Sequence, residues 1–319
     1  MRLRAGSVQR RWIAAALAGA VAVAITSCTS SGDRPEQPPL STGVVIGSFN
    51  FDESALIAEI YAQAVEHAGI PVRREFRLGP RELVQPALRQ GLVDIAPEYL
   101  GSALISTTPG AGGRGVDLTN PGAVLAALRA ALAPWRLLVL HPATASDQNA
   151  FAVTRATAQR YGLRTLTDLA GVASTLVLGG PSECPQRPYC LAGLERVYGI
   201  HVRRFLAMDS QSQRATALEE GMIDVSVTFT TDGRLAAGSL LALIDDKHLQ
   251  PVESVTPVVS QRTVSRYGAR LTGTLDAVSA ALDQRSLTFE NWRVSVAGKD
   301  IATEASGWLR RHRLIGTAR

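Results

Sequence analysis

The stretches "GIPVRREF" (69–76) and "ALRQGLVDIAPEY" (87–99) return 130 residues later as "GIHVRRFL" (199–206) and "ALEEGMIDVSVTF" (217–229). Glycine, isoleucine, valine and two arginines open both copies, and each closes on glycine, aspartate and a terminal ring, Tyr99 or Phe229. Short, continuously apolar runs lie ahead of each copy, "VVIGS" (44–48) and "TLVLGG" (175–180), and read as buried parallel strands. In the first copy a helix follows, with Leu56, Ile57, Ile60, Ala64 and Val65 on one stripe and Asp52 or Ser54 placed to cap it. Gly69 and Gly199 read as left-handed helix stops, and Val72 and Val202 begin second strands. A second helix ends at Gly91 or Gly221, and third strands finish in the two rings. The order strand–helix–strand–helix–strand predicts an α/β chain with an open, mostly parallel sheet in each half. Ligands of such sheets bind beyond the carboxyl ends of the strands, where both rings fall. A lone ring there reads more simply as core; two at equivalent places predict a cleft with one ring on each wall.

Working outward, "LHPATASDQNAFAVT" (140–154) leads from the first half to the second, and "IDDKHLQPVESVTPVVS" (244–260) leads back. The remainder, 262–319, reads as helices without strands of their own and is expected to pack on the first half. Two lobes follow, a discontinuous first one of residues 44–147 with 253–319 and a continuous second one of residues 148–252, joined by a two-segment hinge.

The first 28 residues read as an export signal: arginines, the apolar run Trp12 to Ile25, then small residues. Fourteen helical residues reach about 21 Å, short of a bilayer core of ~30 Å. The run ends in "ITSC", so Cys28 is the expected lipidated residue; an ordinary signal cleaved nearby is the alternative. Residues 29–43 read as a flexible tether. Four of the 33 basic residues precede Cys28, which leaves 29 against 28 acidic ones in the remainder. That balance offers no footprint for nucleic acid. Cys184 and Cys190 in "CPQRPYC" are placed to form a disulfide in an oxidising compartment, worth about 2.4 kcal/mol by loop entropy. Free thiols or a metal site are the alternatives, although the five histidines show no ligand spacing around them.

With "IGSFNFDESALIAEIYAQ", "VDIAPEYLGSAL", "MIDVSVTFTTDGRL" and "LIDDKHLQPVESVTPVV" in this order, the chain resembles the substrate-binding proteins of glycine betaine, choline and carnitine importers of the ATP-binding-cassette type. The resemblance runs from about Val44 to Ile315 and implies the bilobed type II solute-binding fold. It also implies a cage of rings around a quaternary ammonium, which falls on Tyr99, Phe151 and Phe229, while a fourth ring position falls on Ala215. Arg187, inside the cysteine loop, corresponds to an arginine that pairs with a ligand carboxylate; a solvated loop residue is its bland alternative. Phe49 stands where some betaine binders carry a basic residue. Ser48, Asn50, Ser102, Asn149 and Thr231 are the implied polar neighbours.

The function implied is capture of a small osmoprotectant outside the cytoplasm, without a cofactor, by a monomer anchored to the outer face of the membrane that serves a permease subunit. A polyol or an aromatic compound is the alternative ligand, and a sensor lipoprotein the alternative role. No G-x-S-x-G, H-E-x-x-H or P-loop sequence occurs, so neither hydrolysis nor ATP binding is expected.

Overall fold

The computed structural model describes residues 43–108 and 113–316. The export signal, Cys28 and almost all of the tether therefore lie outside the described residues. Two five-stranded sheets carry the fold. The first holds β1 (Val44–Gly47), β2 (Val72–Glu75), β3 (Ile95–Tyr99), β4 (Leu137–Val139) and β10 (Val255–Ser260), in the order β2-β1-β3-β10-β4. The second holds β5 (Asn149–Thr154), β6 (Val177–Gly180), β7 (Arg204–Ala207), β8 (Val225–Phe229) and β9 (Leu240–Ala242), in the order β7-β6-β8-β5-β9. Position for position the two orders match, which is the structural meaning of the repeat.

The repeated aspartates show why the sequence is written twice. Asp94 donates its N–H to the Val45 carbonyl and accepts the Val45 N–H on its own carboxylate, at 2.8 and 3.0 Å. Asp224 does the same with Val177, at 2.9 and 2.8 Å. Each aspartate thereby extends the ladder between the first and third strands by one side chain, where a backbone carbonyl alone would leave an N–H unpaired. The preceding glycines, Gly91 and Gly221, sit at φ of 72° and 74°, a left-handed conformation that a Cβ would strain.

Both sheets are more mixed than the sequence predicts. β2, β1 and β3 run parallel, but β10 is antiparallel to β3 and to β4. In the second sheet β5 is likewise antiparallel to β8 and β9. The strand inserted beside β3 or β8 is the one arriving from the other lobe, so it enters from the opposite end. The crossings themselves pair antiparallel: Ser146 bridges Ser254, the Asp147 N–H donates to Glu253 at 3.0 Å, and Val255 donates to Ala145 at 3.0 Å.

The helix Asp52–His67 is the axis of the first lobe. Leu56, Ile57, Ile60 and Val65 are buried, and the helix packs against the sheet and against helices Ala269–Ala281 and Ile301–Arg311. Trp308 and Leu309 of the last helix share one core with Ile57, Leu275 and Val258. Helix Gln284–Ser295 also belongs to this core through Leu287, yet it touches the short helix Gly233–Ala237 that follows β8. The two approach so closely that a Cβ on Gly233 would lie 2.3 Å from the Trp292 Cα. The glycine of "TTDG" is thus required by a backbone contact beside the hinge.

Candidate functional site

Between the two sheets, at the carboxyl ends of β3 and β8, lies a cavity of about 570 Å³. Its aromatic wall starts at the end of β1. The helix Asp52–His67 is capped by neither Asp52 nor Ser54: the Ser54 hydroxyl instead accepts the Phe49 N–H at 3.0 Å, and the helix begins after Phe51 in extended conformation. That tight turn brings Phe49 and Phe51 into register on one side, their rings stacked 5.8 Å apart. Tyr99 lies 6.4 Å from Phe49 and 6.1 Å from Phe51. Across the cleft, Phe229 stacks on Phe51 at 5.8 Å. Offset stacking at these separations is attractive beyond the area it buries. The rings of the two lobes therefore meet through Phe51, which the sequence reading did not single out, and Tyr189 of the cysteine loop lines the same cavity.

The expected site residues divide. Phe49, Asn50, Tyr99 and Ser102, and on the second lobe Asn149, Arg187 and Phe229, line the cavity. Phe151, Ser48 and Thr231 do not. Phe151 is paired with Val227 inside the second lobe and is 1% exposed in its core, so the ring assigned to the cage is a packing ring. Ser48 is fully buried; its hydroxyl donates to the Phe49 carbonyl and accepts the Arg77 N–H. It shapes the turn that holds Phe49. Ala215, the place of the missing fourth ring, faces the packing of the second lobe, because one helical residue turns the side chain by about 100°. Arg214 is the side chain of that helix that enters the cavity.

Thr231 belongs to a buried network under the ring wall. The Tyr99 hydroxyl donates to Glu53 at 2.7 Å, the Asn291 side chain also donates to Glu53, and the Thr231 hydroxyl lies between Glu53 and Asp147, 2.6 Å from the latter. One hydroxyl hydrogen serves only one of the two carboxylates at a time; Tyr99 and Asn291 also donate to Glu53, and the Thr231 N–H donates to Asp147. Burial raises both acids, Asp147 well above the ordinary aspartate range, with the neighbouring Glu53 charge adding to it. Asp147 also lines the cavity. A second acid, Glu253, is held by the Ser102 N–H at 3.0 Å and by the Ser102 hydroxyl. Burial pushes its carboxyl up to about 7, against the opposing pull of Ser102 and Arg81.

Cys184 and Cys190 form a disulfide that closes the loop carrying Arg187. The Arg187 guanidinium spans the cleft to Glu82 of the first lobe at 2.6 Å. Beside Phe49 the positive charge comes from Arg81, whose guanidinium stands 5.0 Å over the ring and pairs with Glu98 at 3.1 Å. Among the described residues no group of histidines, cysteines and acids is disposed to hold a metal ion, and no helix is long and apolar enough to cross a membrane.

A family model described as the substrate binding domain of ABC-type glycine betaine transport system matches residues 42–311. The glycine betaine-binding protein YehZ of Escherichia coli (strain K12) is 26% identical over 276 residues, covering 84% of this chain and 90% of that protein. A glycine-betaine-binding protein of Pseudomonas aeruginosa is 28% identical over 284 residues, covering 85% and 88%. Among solved structures, one titled as a glycine betaine/carnitine/choline ABC transporter superposes with a TM-score of 0.69 at 25% identity, covering 85% of this chain and 99% of its own.

Proposed function

This chain belongs to the family of substrate-binding domains of ABC-type glycine betaine transport systems, and from that premise we propose that it captures a quaternary-amine osmoprotectant, such as glycine betaine, carnitine or choline, between its lobes and delivers it to a permease subunit. The carrying observation is the ring wall contributed from both lobes, with Phe51 stacked on Phe229 at 5.8 Å and with Asp147 and Glu253 in the same cavity. A quaternary ammonium has no N–H to offer, so hydrogen bonding cannot hold it. Ring faces and nearby carboxylates can, by about 0.5–2 kcal/mol per ring.

Closure supplies the work of capture. A ligand touching Phe51 on one lobe and Phe229 on the other binds the closed form better than the open one, and only that difference moves the hinge. The paired crossings around Ser146 and Ser254 are the segments about which the lobes turn. Placement outside the cytoplasm follows from family membership. Anchoring through a lipid on Cys28 is the finer reading, tested by the intact mass of membrane-extracted protein: an unmodified amino terminus there would refute it.

Thermal shift with glycine betaine, carnitine, choline and proline betaine tests the ligand class. A ligand at ~100 times its Kd stabilises the fold by ~2.7 kcal/mol. A raised midpoint with at least one of them is expected, and silence from all four would remove quaternary amines as ligands.

Binding is also expected to depend on pH through Glu253. Its folded carboxyl is raised to about 7, so its protonated form favours folding. That contribution is complete below the unfolded value and fades as pH climbs toward 7. A cation in the cavity favours the ionised carboxylate, so affinity rises with pH over the same window, by up to about tenfold between pH 5.5 and 8. Calorimetric titration at several pH values checks this, and Glu253→Gln flattens the profile. An affinity that falls with pH would contradict it.

A further inference from the structure

Five arginines line the cavity, and four of them are already neutralised. Arg77 pairs with Asp52 at 2.6 Å, Arg81 with Glu98 at 3.1 Å, Arg187 with Glu82 at 2.6 Å and Arg234 with Asp232 at 3.7 Å. Arg214 is different. It is 3% exposed, and its Nε donates to the Val227 carbonyl at 2.9 Å while Nη1 donates to Met208 and Asp209 carbonyls at 2.6 and 3.0 Å. Among the described residues its Nη2 makes no hydrogen bond and no carboxylate lies within ion-pair distance.

The acids nearest to it are committed elsewhere. Asp209 accepts the Ser182 N–H at 2.8 Å. Asp232 takes the Thr228 hydroxyl, the Gln211 side chain and the Arg234 N–H. Glu183 leans toward Arg187 at 3.9 Å. Burial lowers Arg214 only to about 10, so it stays charged at neutral pH. A buried guanidinium with no carboxylate in ion-pair distance is costly; Asp209, Glu183 and Asp232 offset this only from farther away, and three carbonyl bonds fix its orientation instead of discharging it. Arg214 also lies in the first turn of helix Gln211–Glu219, whose Ser210, Gln211 and Ser212 face the same space. The positive end of that helix adds to the field.

We infer that Arg214 is the counter-ion for an anionic group of the ligand, so the cavity selects a zwitterion, with its quaternary amine at the ring wall of the first lobe and its carboxylate on Arg214 of the second. The inference rests on the quaternary-amine reading for the cationic end only. It departs from the family resemblance, which put the carboxylate partner at Arg187, because that side chain is occupied by Glu82. Ligand and charge pair would together join the lobes, with the free Nη2 supplying the donor that a planar carboxylate accepts.

A thermodynamic cycle tests it on the full chain. Glycine betaine, carnitine, their methyl esters and choline are titrated calorimetrically into the wild type, Arg214→Gln, Arg214→Lys and Arg187→Gln. The expected result is at least a 30-fold loss of zwitterion affinity in Arg214→Gln, a smaller loss in Arg214→Lys, and less than a threefold change for esters and choline. Esterification should cost the wild type a comparable factor and cost Arg214→Gln almost nothing. Equal losses for zwitterions and esters in Arg214→Gln, or an ester penalty abolished by Arg187→Gln instead, would overturn the inference. The wild-type zwitterion-to-ester ratio speaks even where Arg214→Gln does not fold, since a ratio near one overturns it and Arg214→Lys retains the buried charge. Should no quaternary amine bind the wild type, the ligand class fails separately. Carboxylates and sulfonates lacking that amine then decide: Arg214-dependent binding of one sustains the anion site, and no binding refutes it.

Discussion

Phe51→Ala with Phe229→Ala is expected to weaken the quaternary-amine complex by roughly 30- to 1000-fold, the sum of two desolvated cation–π contacts of about 1–2 kcal/mol each. The two rings are half-buried and stack on each other from opposite lobes. Their loss removes the ligand's contact with both walls at once and, with it, the bias toward closure. Neither ring belongs to the fully buried core, so the unfolding midpoint without ligand should move little. Tyr99→Ala would give a mixed result, because Tyr99 is 5% exposed and its hydroxyl satisfies Glu53. Calorimetry on the double variant checks the prediction; an affinity within threefold of wild type would take the rings out of the site.

Trp308→Ala should destabilise the protein by about 3–5 kcal/mol while leaving the affinity of the remaining folded protein unchanged. Trp308 is fully buried where helix Ile301–Arg311 packs on helix Asp52–His67, and its ring stacks on His312 at 4.3 Å. Its Nε1 has no hydrogen-bond partner among the described residues. Trp308→Phe keeps most of the packing and removes that unpaired donor, so it should cost clearly less. Urea unfolding of both variants separates the two effects. A loss under 1 kcal/mol for Trp308→Ala would mean that the last helix contributes little to the first lobe.

What could be read from the sequence, and what could not, follows from the range of the interactions. The duplicated stretches carried the two-lobed architecture because register, helix stops and strand-end rings are local: Gly91 with Gly221 and Asp94 with Asp224 do the same work in both copies. The antiparallel insertion of β5 and β10 was not legible, since it depends on which lobe a strand arrives from. Phe51 was missed although it stands two residues after Phe49. Only the unexpected bond from Phe49 to Ser54 sets both rings on one side. Assigning Phe151 to the cleft failed because its ring is sealed in the core of the second lobe with Leu178, Val225 and Leu243. Thr231 and Ser48 do not line the cavity, because their hydroxyls are consumed by Glu53, Asp147 and the turn backbone. Arg214 was hidden because the family resemblance directs attention to Ala215, and a shift of one helical residue decides which side chain reaches the cavity.

The most direct measurement is the position of the quaternary nitrogen in a crystal structure of the protein grown with glycine betaine or carnitine. That nitrogen is expected within about 6 Å of the ring centroids of both Phe51 and Phe229, with the lobes closed around it. A ligand bound on one lobe alone, or away from those two rings, would contradict it.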